Sequence, residues 1–108
     1  MVPQIGVHEL SERLRAGERL CLVDVRQPWE HEIAALPGSV LIPLDELAQR
    51  ADEVEPPAGA TVVAYCHHGM RSLSAAVILA RAGHAGVVSL RGGIDAWSRE
   101  IDSTVPRY

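Results

Sequence analysis

The sequence predicts an α/β domain in which a central, mainly parallel five-stranded sheet carries helices on both faces. Short runs rich in valine, isoleucine and leucine alternate with segments of helical periodicity, as in βαβ units. Several of these runs are apolar without alternation, which is typical of strands covered on both faces. The 108 residues suffice for one core, so we expect one domain over residues 1–108 and no second lobe.

The five predicted strands are short β-rich runs bounded by turn residues. The run at residues 4–6 precedes the first helical segment, and the run at 87–90 leads into a glycine pair. The runs at 21–25, 40–42 and 61–65 show no polar alternation. We therefore expect these three strands to be buried on both faces, with a proline-rich surface turn before the last of them.

The five predicted helices fill the gaps between the strands. Residues 8–16 carry apolar positions at helical spacing and are followed by Gly17. Residues 28–33 begin with a proline, which suits the first turn of a helix. Residues 44–51 are amphipathic. Residues 73–82 end at a glycine, and residues 94–101 follow a glycine pair.

Composition and charge exclude several classes of function. The chain is 47% hydrophobic and 22% charged, with a net charge of -4, and all ten of its basic residues are arginines scattered along the sequence. A nucleic-acid ligand is therefore not expected. No run approaches 18 consecutive apolar residues, and the start lacks the pattern of a signal peptide, so we expect a cytoplasmic protein with no membrane partner.

A cysteine loop joins the predicted strand 61–65 to the following helix. Residues 66–72 read Cys-His-His-Gly-Met-Arg-Ser, so Cys66 lies at the carboxyl end of a strand, where open α/β sheets bind ligands. Backbone N–H groups of the loop and the positive end of the helix favour a thiolate there. Arg71 adds a cation that can hold an oxyanion. A buried structural cysteine is the alternative, but Gly69 and Arg71 count against it.

The loop resembles the active-site loop of the rhodanese superfamily. Its sulfurtransferases have a short loop sized for one sulfur atom, while the related dual-specificity phosphatases insert one more residue before the arginine. Four residues, 67–70, separate Cys66 from Arg71 here, and position 72, where a phosphatase would carry its arginine, is Ser72. The resemblance therefore implies the sulfurtransferase branch and a rhodanese-like single-domain fold.

Matches to the family extend over nearly the whole chain. The segment around Ile101 and residues 105–108 is similar to the rhodanese domain that follows E1-like adenylating enzymes in sulfur-carrier pathways. The chain departs from the family at residues 34–36, which read Ala-Ala-Leu where many members have Gly-His-Ile. The further matches are Asp24, Arg26 and Glu30 of an Asp-x-Arg step and its glutamate, the turn Pro37-Gly38, the step Ile42-Pro43, and Gly92, Gly93 and Trp97 of a Gly-Gly-x-x-x-Trp element.

Other titratable residues have weaker functional interpretations. Arg26 and Glu30, four residues apart, can form an ion pair, and we interpret them and Asp24 as support for the loop. His67 and His68 are adjacent, so we expect their side chains to diverge, to bind no metal and to add positive charge near the donor when protonated. His8, His31 and His84 are isolated, and Cys21 is a small core residue.

The resemblance implies a sulfurtransferase that carries a sulfane sulfur as a persulfide, without cofactor or metal. Its donor would be a small anion such as thiosulfate or a protein persulfide, and its acceptor cyanide, a thiol or a sulfur-carrier protein. A cysteine desulfurase and a ubiquitin-like sulfur-carrier protein are the implied protein partners. The alternatives are a non-catalytic rhodanese-like binding or regulatory module and, ranked lower, a cysteine-dependent phosphatase or arsenate reductase. The predicted site comprises Cys66 as nucleophile, His67, His68, Gly69, Met70, Arg71 and Ser72 as the binding loop, and Asp24 and Arg26 as its support.

Overall fold

The computed structural model describes residues 2–108 and contains a five-stranded sheet in the order β1-β5-β4-β2-β3. All four pairs of neighbouring strands are parallel. The carboxyl ends of the strands therefore lie at one edge, where the cysteine loop begins. The strands are β1 (Gln4–Ile5), β2 (Leu20–Asp24), β3 (Val40–Leu41), β4 (Thr61–Tyr65) and β5 (Val88–Leu90).

Helices connect the strands and cover both faces of the sheet, as predicted. Five α-helices and one 3-10 turn, Ala51–Glu53, occur in residues 2–108. None of these helices has the length and apolar character needed to cross a membrane. The helices are α1 (Val7–Arg15), α2 (Pro28–Ile33), α3 (Leu44–Arg50), α4 (Arg71–Arg81) and α5 (Gly93–Glu100).

Two apolar cores lie on opposite faces of the sheet, and β4 contributes to both. Val62 and Ala64 pack in the core beneath α3 and α4. Val63 and Tyr65 pack in the core beneath α1 and α5, together with Trp97. Because successive side chains of a strand point to opposite faces, a strand buried on both sides must be apolar throughout. β4 is therefore fixed rigidly just before the cysteine.

Two sequence predictions are corrected by the fold. β3 is an edge strand and not a buried central one, since only β2 pairs with it within residues 2–108 and Val40 is 42% exposed. An apolar run of three residues does not distinguish an edge from a centre. The fourth helix begins at Arg71 instead of residue 73, which places Arg71 and Ser72 in its first turn.

Candidate active site

Cys66 lies directly after β4 and is 1% exposed. Its Sγ atom accepts hydrogen bonds from the backbone N–H groups of Gly69, at 3.1 Å, and Ser72, at 3.4 Å. The N–H of Ser72 is free for this contact because first-turn N–H groups have no partner within their own helix. Two backbone dipoles thus converge on one sulfur atom, an arrangement that stabilises negative charge on it.

The start of α5 holds the cysteine loop from behind. The N–H of Ile94 donates to the carbonyl of Cys66 at 2.9 Å, and the N–H of Asp95 donates to that of His67 at 3.0 Å. Gly93 has φ +60, and a Cβ built there would lie 2.4 Å from the oxygen of His67. A residue other than glycine would push the helix away from the loop. The glycine at position 93 thus permits close packing of α5 against the loop.

Arg71 forms a two-fold ion pair with Glu30 across the mouth of the loop. Its Nη1 and Nη2 atoms lie 2.7 and 2.8 Å from the two carboxylate oxygens. The predicted ion pair between Arg26 and Glu30 is wrong. The Glu30 carboxylate bonds to Arg71 instead, and the contact of Arg26 with Glu30 is to the backbone carbonyl, at 3.4 Å. The hydrogen bonds from Arg71 lower the pKa of Glu30 to about 2, and the same contact raises the pKa of Arg71.

Asp24 and Arg26 form a buried pair at the end of β2. Arg26 is fully buried, and its Nε and Nη2 atoms donate to the Asp24 carboxylate at 2.9 and 2.7 Å. His31, expected to be isolated, lies 2.8 Å from Asp24 through Nδ1. Within residues 2–108 the Asp24 carboxylate bonds to these side chains and to the N–H of Arg26, and not to the cysteine loop. A supporting role for the pair stays a prediction, and its route to the loop would be through neighbouring residues such as Tyr108.

Tyr108 connects the support residues to the loop, a role that the sequence did not indicate. Its hydroxyl accepts from Arg26 Nη1 and donates to Glu30 Oε2, both at 2.7 Å. Its ring stacks on that of His67 with the centroids 3.9 Å apart and the planes 7° from parallel. Burial raises the pKa of Tyr108 to about 12, so the hydroxyl keeps its proton at neutral pH. No local pattern around residue 108 could have predicted these long-range contacts.

The two loop histidines stack on each other, whereas we predicted that their side chains would diverge. The rings of His67 and His68 are 3.9 Å apart at their centroids and 30° from parallel. Burial lowers the pKa of His67, and His68 lowers it further, so the expected positive charge on His67 is disfavoured. Its Nε2 atom is buried without a hydrogen-bond partner among residues 2–108.

These histidines share a cluster with Asp95 whose potential ligand atoms lie within 4.8 Å of one another. A metal ion requires nitrogen lone pairs that converge, and the lone pairs of imidazoles lie in the ring planes. The rings of His67 and His68 are stacked 3.9 Å apart and 30° from parallel, so their lone pairs lie in two separate planes. Asp95 is also engaged by Arg99 at 2.9 Å and Arg107 at 3.2 Å. This donor set fits a metal ion poorly, and the absence of a bound metal stays a prediction.

The remaining loop residues differ in burial. Met70 is 75% exposed, so its side chain lies at the outer rim of the loop. Ser72 is fully buried, and its Oγ atom lies 3.5 Å from Cys66 Sγ and 2.7 Å from the Oγ atom of Ser89. Ser89 was also missed. A serine inside the otherwise apolar strand β5 was the signal that could have identified it.

Comparison with known proteins agrees with this geometry. The family described as "Rhodanese-like domain" matches residues 6–100. A protein named Sulfurtransferase from Allochromatium vinosum is 38% identical over 99 residues, which cover 92% of this chain and 91% of that protein. The probable adenylyltransferase/sulfurtransferase MoeZ of Mycobacterium tuberculosis is 35% identical over 104 residues, or 96% of this chain and 26% of MoeZ. The chain thus spans about a quarter of MoeZ.

Solved structures show the same architecture. The human single-domain sulfurtransferase TSTD1 superposes with a TM-score of 0.78 at 27% identity, covering 93% of this chain and 98% of that one. A rhodanese-like domain protein from Staphylococcus aureus shares the fold, with a TM-score of 0.82, 24% identity and 99% coverage of both chains. Several relatives are named sulfurtransferases, which supports sulfur transfer as the general chemistry. The chain belongs to the rhodanese-like domain family.

Proposed function

We propose that this protein is a sulfurtransferase that carries sulfane sulfur on Cys66. The Cys66 thiolate attacks the outer sulfur of thiosulfate, and the sulfur–sulfur bond of the donor breaks. Sulfite leaves with the bonding electron pair, and Cys66 carries a persulfide. An acceptor nucleophile such as cyanide or a thiolate then attacks the outer sulfur. The Cys66 thiolate leaves, which closes the cycle without net oxidation of the protein.

The convergence of two backbone N–H groups on the Cys66 sulfur is the observation that carries this proposal. The donors of Gly69 and Ser72 are already in place, so they need no rearrangement when charge develops on the sulfur. The bonds from α5 to the loop carbonyls keep the N–H groups on the opposite side of the loop aimed inward. A nest of this size suits one anionic sulfur atom.

Arg71 is the cation that we assign to the leaving group of the donor. Its side chain is 36% exposed, so an anion entering from solvent can approach it. The pair with Glu30 means that an entering anion shares the guanidinium with a carboxylate. Arg71 therefore acts on donor binding and on departure of sulfite more than on formation of the thiolate.

In the cell, we propose a protein persulfide, such as that of a cysteine desulfurase, as donor and a ubiquitin-like sulfur-carrier protein as acceptor in the cytoplasm. The names of two relatives support this class of partner: MoeZ, and the putative sulfur carrier protein YrkF of Bacillus subtilis, 32% identical over 101 residues. Thiosulfate and cyanide are the corresponding small-molecule donor and acceptor.

Intact-mass spectrometry after incubation with thiosulfate tests the proposal directly. We expect the mass to rise by one sulfur atom, and the added sulfur to disappear on treatment with cyanide. Cys66→Ser should show no gain, whereas Cys21→Ser should behave as wild type, because Cys21 lies on β2 at a distance from the loop. Sulfur found on Cys21, or none in the wild type, would refute the assignment.

A further inference from the structure

A buried hydroxyl on β5 contacts the first turn of α4, next to the cysteine. Ser89 is fully buried, and register pairs it with Ala64 of β4, a core residue beneath α4. Its Oγ atom lies 2.7 Å from that of Ser72, which is itself fully buried. A buried hydroxyl without a partner costs free energy that alanine at the same position would not. This contact therefore gives each of the two buried hydroxyls a hydrogen-bond partner.

Cys66, Ser72 and Ser89 form a chain of three groups that can exchange hydrogen bonds. The Sγ atom lies 3.5 Å from Ser72 Oγ, and Ser72 Oγ lies 2.7 Å from Ser89 Oγ. Each hydroxyl has one proton to donate. When the sulfur is anionic it has no proton, so the Ser72 proton points to Sγ and the Ser89 proton points to Ser72. When the sulfur is a thiol, its proton points to Ser72 and the chain runs the other way.

The orientation from Ser89 through Ser72 to Sγ favours the anionic sulfur. A hydroxyl that accepts a hydrogen bond becomes a stronger donor, by about 10–30% per bond. The contact also restrains the Ser72 side chain, because its Oγ atom is held 2.7 Å from that of Ser89. Ser89 thus has two physical means of directing a third donor onto the sulfur, in addition to the N–H groups of Gly69 and Ser72.

We propose that Ser89 is a positioning residue for the Cys66 nucleophile, acting through the Ser72 hydroxyl to stabilise the thiolate. The inference deepens the proposed sulfur-transfer function and rests on it. Other charged or titratable groups also surround the cysteine, and substitution at position 89 leaves all of them in place. They are Arg71 of α4 with Glu30 of α2, His67 and His68 of the loop, Asp95 of α5, Tyr108, and the pair Asp24 and Arg26 at the end of β2.

The pH dependence of alkylation tests the proposal without any sulfur donor. Rates of Cys66 modification by iodoacetamide are measured from pH 5 to 10, with peptide mapping to separate Cys66 from Cys21. In Ser89→Ala the midpoint should rise by about half a pH unit, and the rate below the midpoint should fall about threefold. Ser98→Ala is the matched control, because Ser98 is a buried serine whose hydroxyl donates to the Ile94 carbonyl. Its midpoint should equal that of the wild type.

A double-mutant cycle separates this role from a merely structural one. In a Ser72→Ala background, Ser89→Ala should cause no further shift of the midpoint, because the intermediate hydroxyl is gone. An equal shift in both backgrounds, or no shift in the wild-type background, would overturn the proposal. The outcome is independent of the mass experiment, since alkylation reports the thiolate whether or not Cys66 accepts sulfur from thiosulfate.

Discussion

The cation beside Cys66 is held by a carboxylate, which changes what Arg71 can do. Glu30 is 3% exposed and engages both terminal nitrogens of Arg71. The pair is nearly neutral as a whole, so it attracts a distant anion less than a free guanidinium would. An anionic donor gains from Arg71 only at close range, where it can share hydrogen bonds with Glu30. The ion pair also joins α2 to the first turn of α4.

Replacement of Arg71 by alanine should affect turnover and stability together. We expect Arg71→Ala to lose most thiosulfate turnover while iodoacetamide still modifies Cys66, because the N–H donors remain. The free energy of unfolding should fall by about 1–3 kcal/mol, since the Glu30 carboxylate loses its partner at a position that water can reach. Steady-state kinetics and urea unfolding measure the two effects.

The double variant Glu30→Gln with Arg71→Ala separates those effects. It removes the unpaired charge, so it should recover part of the stability while turnover stays low. Full thiosulfate turnover in Arg71→Ala would show that the cation has no role in donor binding.

At the scale of elements, the first turn of α5 holds the cysteine loop in place, which we call its backstop role. N–H groups in its first turn donate hydrogen bonds to the carbonyls of Cys66 and His67. These bonds are possible because the backbone at Gly93 lies very close to the loop. The conformation of the loop is therefore fixed by two helices: α4, into which the loop leads, and α5, whose first turn bonds to the loop carbonyls. Preorganisation of this kind lowers the cost of aligning donors during reaction.

Gly93→Ala should disrupt this arrangement, and Gly59→Ala provides a matched control. Both glycines have positive φ, +60 and +79, so alanine is strained at each by about 1 kcal/mol. Only at Gly93 would the new Cβ meet backbone atoms, whereas nothing lies within 4 Å of it at Gly59. Gly93→Ala should lose several kcal/mol of stability and most sulfur transfer, as measured by thermal unfolding and thiosulfate turnover. Equal losses in the two variants would contradict the backstop role.

Local patterns predicted the elements because each depends on residues close in sequence. The bounds predicted for β4 and α2 were confirmed, as were the parallel sheet and the position of Cys66 at a strand end. The start of α4 was predicted two residues late, because residues 71 and 72 are polar and their helical state depends on the loop they close. The edge position of β3 depends on topology, which a run of three residues does not encode.

The contacts of the site were less predictable than its residues. The loop and the position of its cysteine follow from spacing, but Glu30 reaches Arg71 across 41 residues and Tyr108 reaches Glu30 across 78. Such pairs depend on how the elements are arranged in space, which the spacing of residues does not encode. The stacking of His67 on His68 was also missed, because the rule that neighbouring side chains diverge holds for extended chains and not for a tightly curved loop.

For the molecule as a whole, titratable groups of the site make the free energy of unfolding decrease as the pH falls. Arg71 lowers the pKa of Glu30 from 4.5 to about 2, so the unfolded state binds more protons than the folded state between these values. The stabilisation is complete above pH 4.5 and is lost as the pH falls toward 2. The lowered pKa of His67 acts in the same direction below pH 6.5, because the unfolded chain takes up a proton that the folded chain resists.

Urea unfolding at pH 7, 5 and 3 should show this dependence. The free energy of unfolding should fall modestly from pH 7 to 5, and the Glu30 contribution, roughly 3 kcal/mol in all, should decline below pH 5. Glu30→Gln should be less stable than wild type at pH 7 but should show a smaller further loss between pH 5 and 3. The same slope in both proteins would assign the acid sensitivity to other groups.

The two outermost strands of the sheet, β1 and β3, are only two residues long. A sheet edge normally exposes a row of unpaired N–H and C=O groups that can recruit a strand from another chain. Here each edge offers so few of these groups that an incoming strand would gain little from pairing. The same brevity that made β3 difficult to place in the sequence therefore limits edge-to-edge aggregation, and it leaves the apolar residues of the central strands β2 and β4 covered on both sides by paired strands.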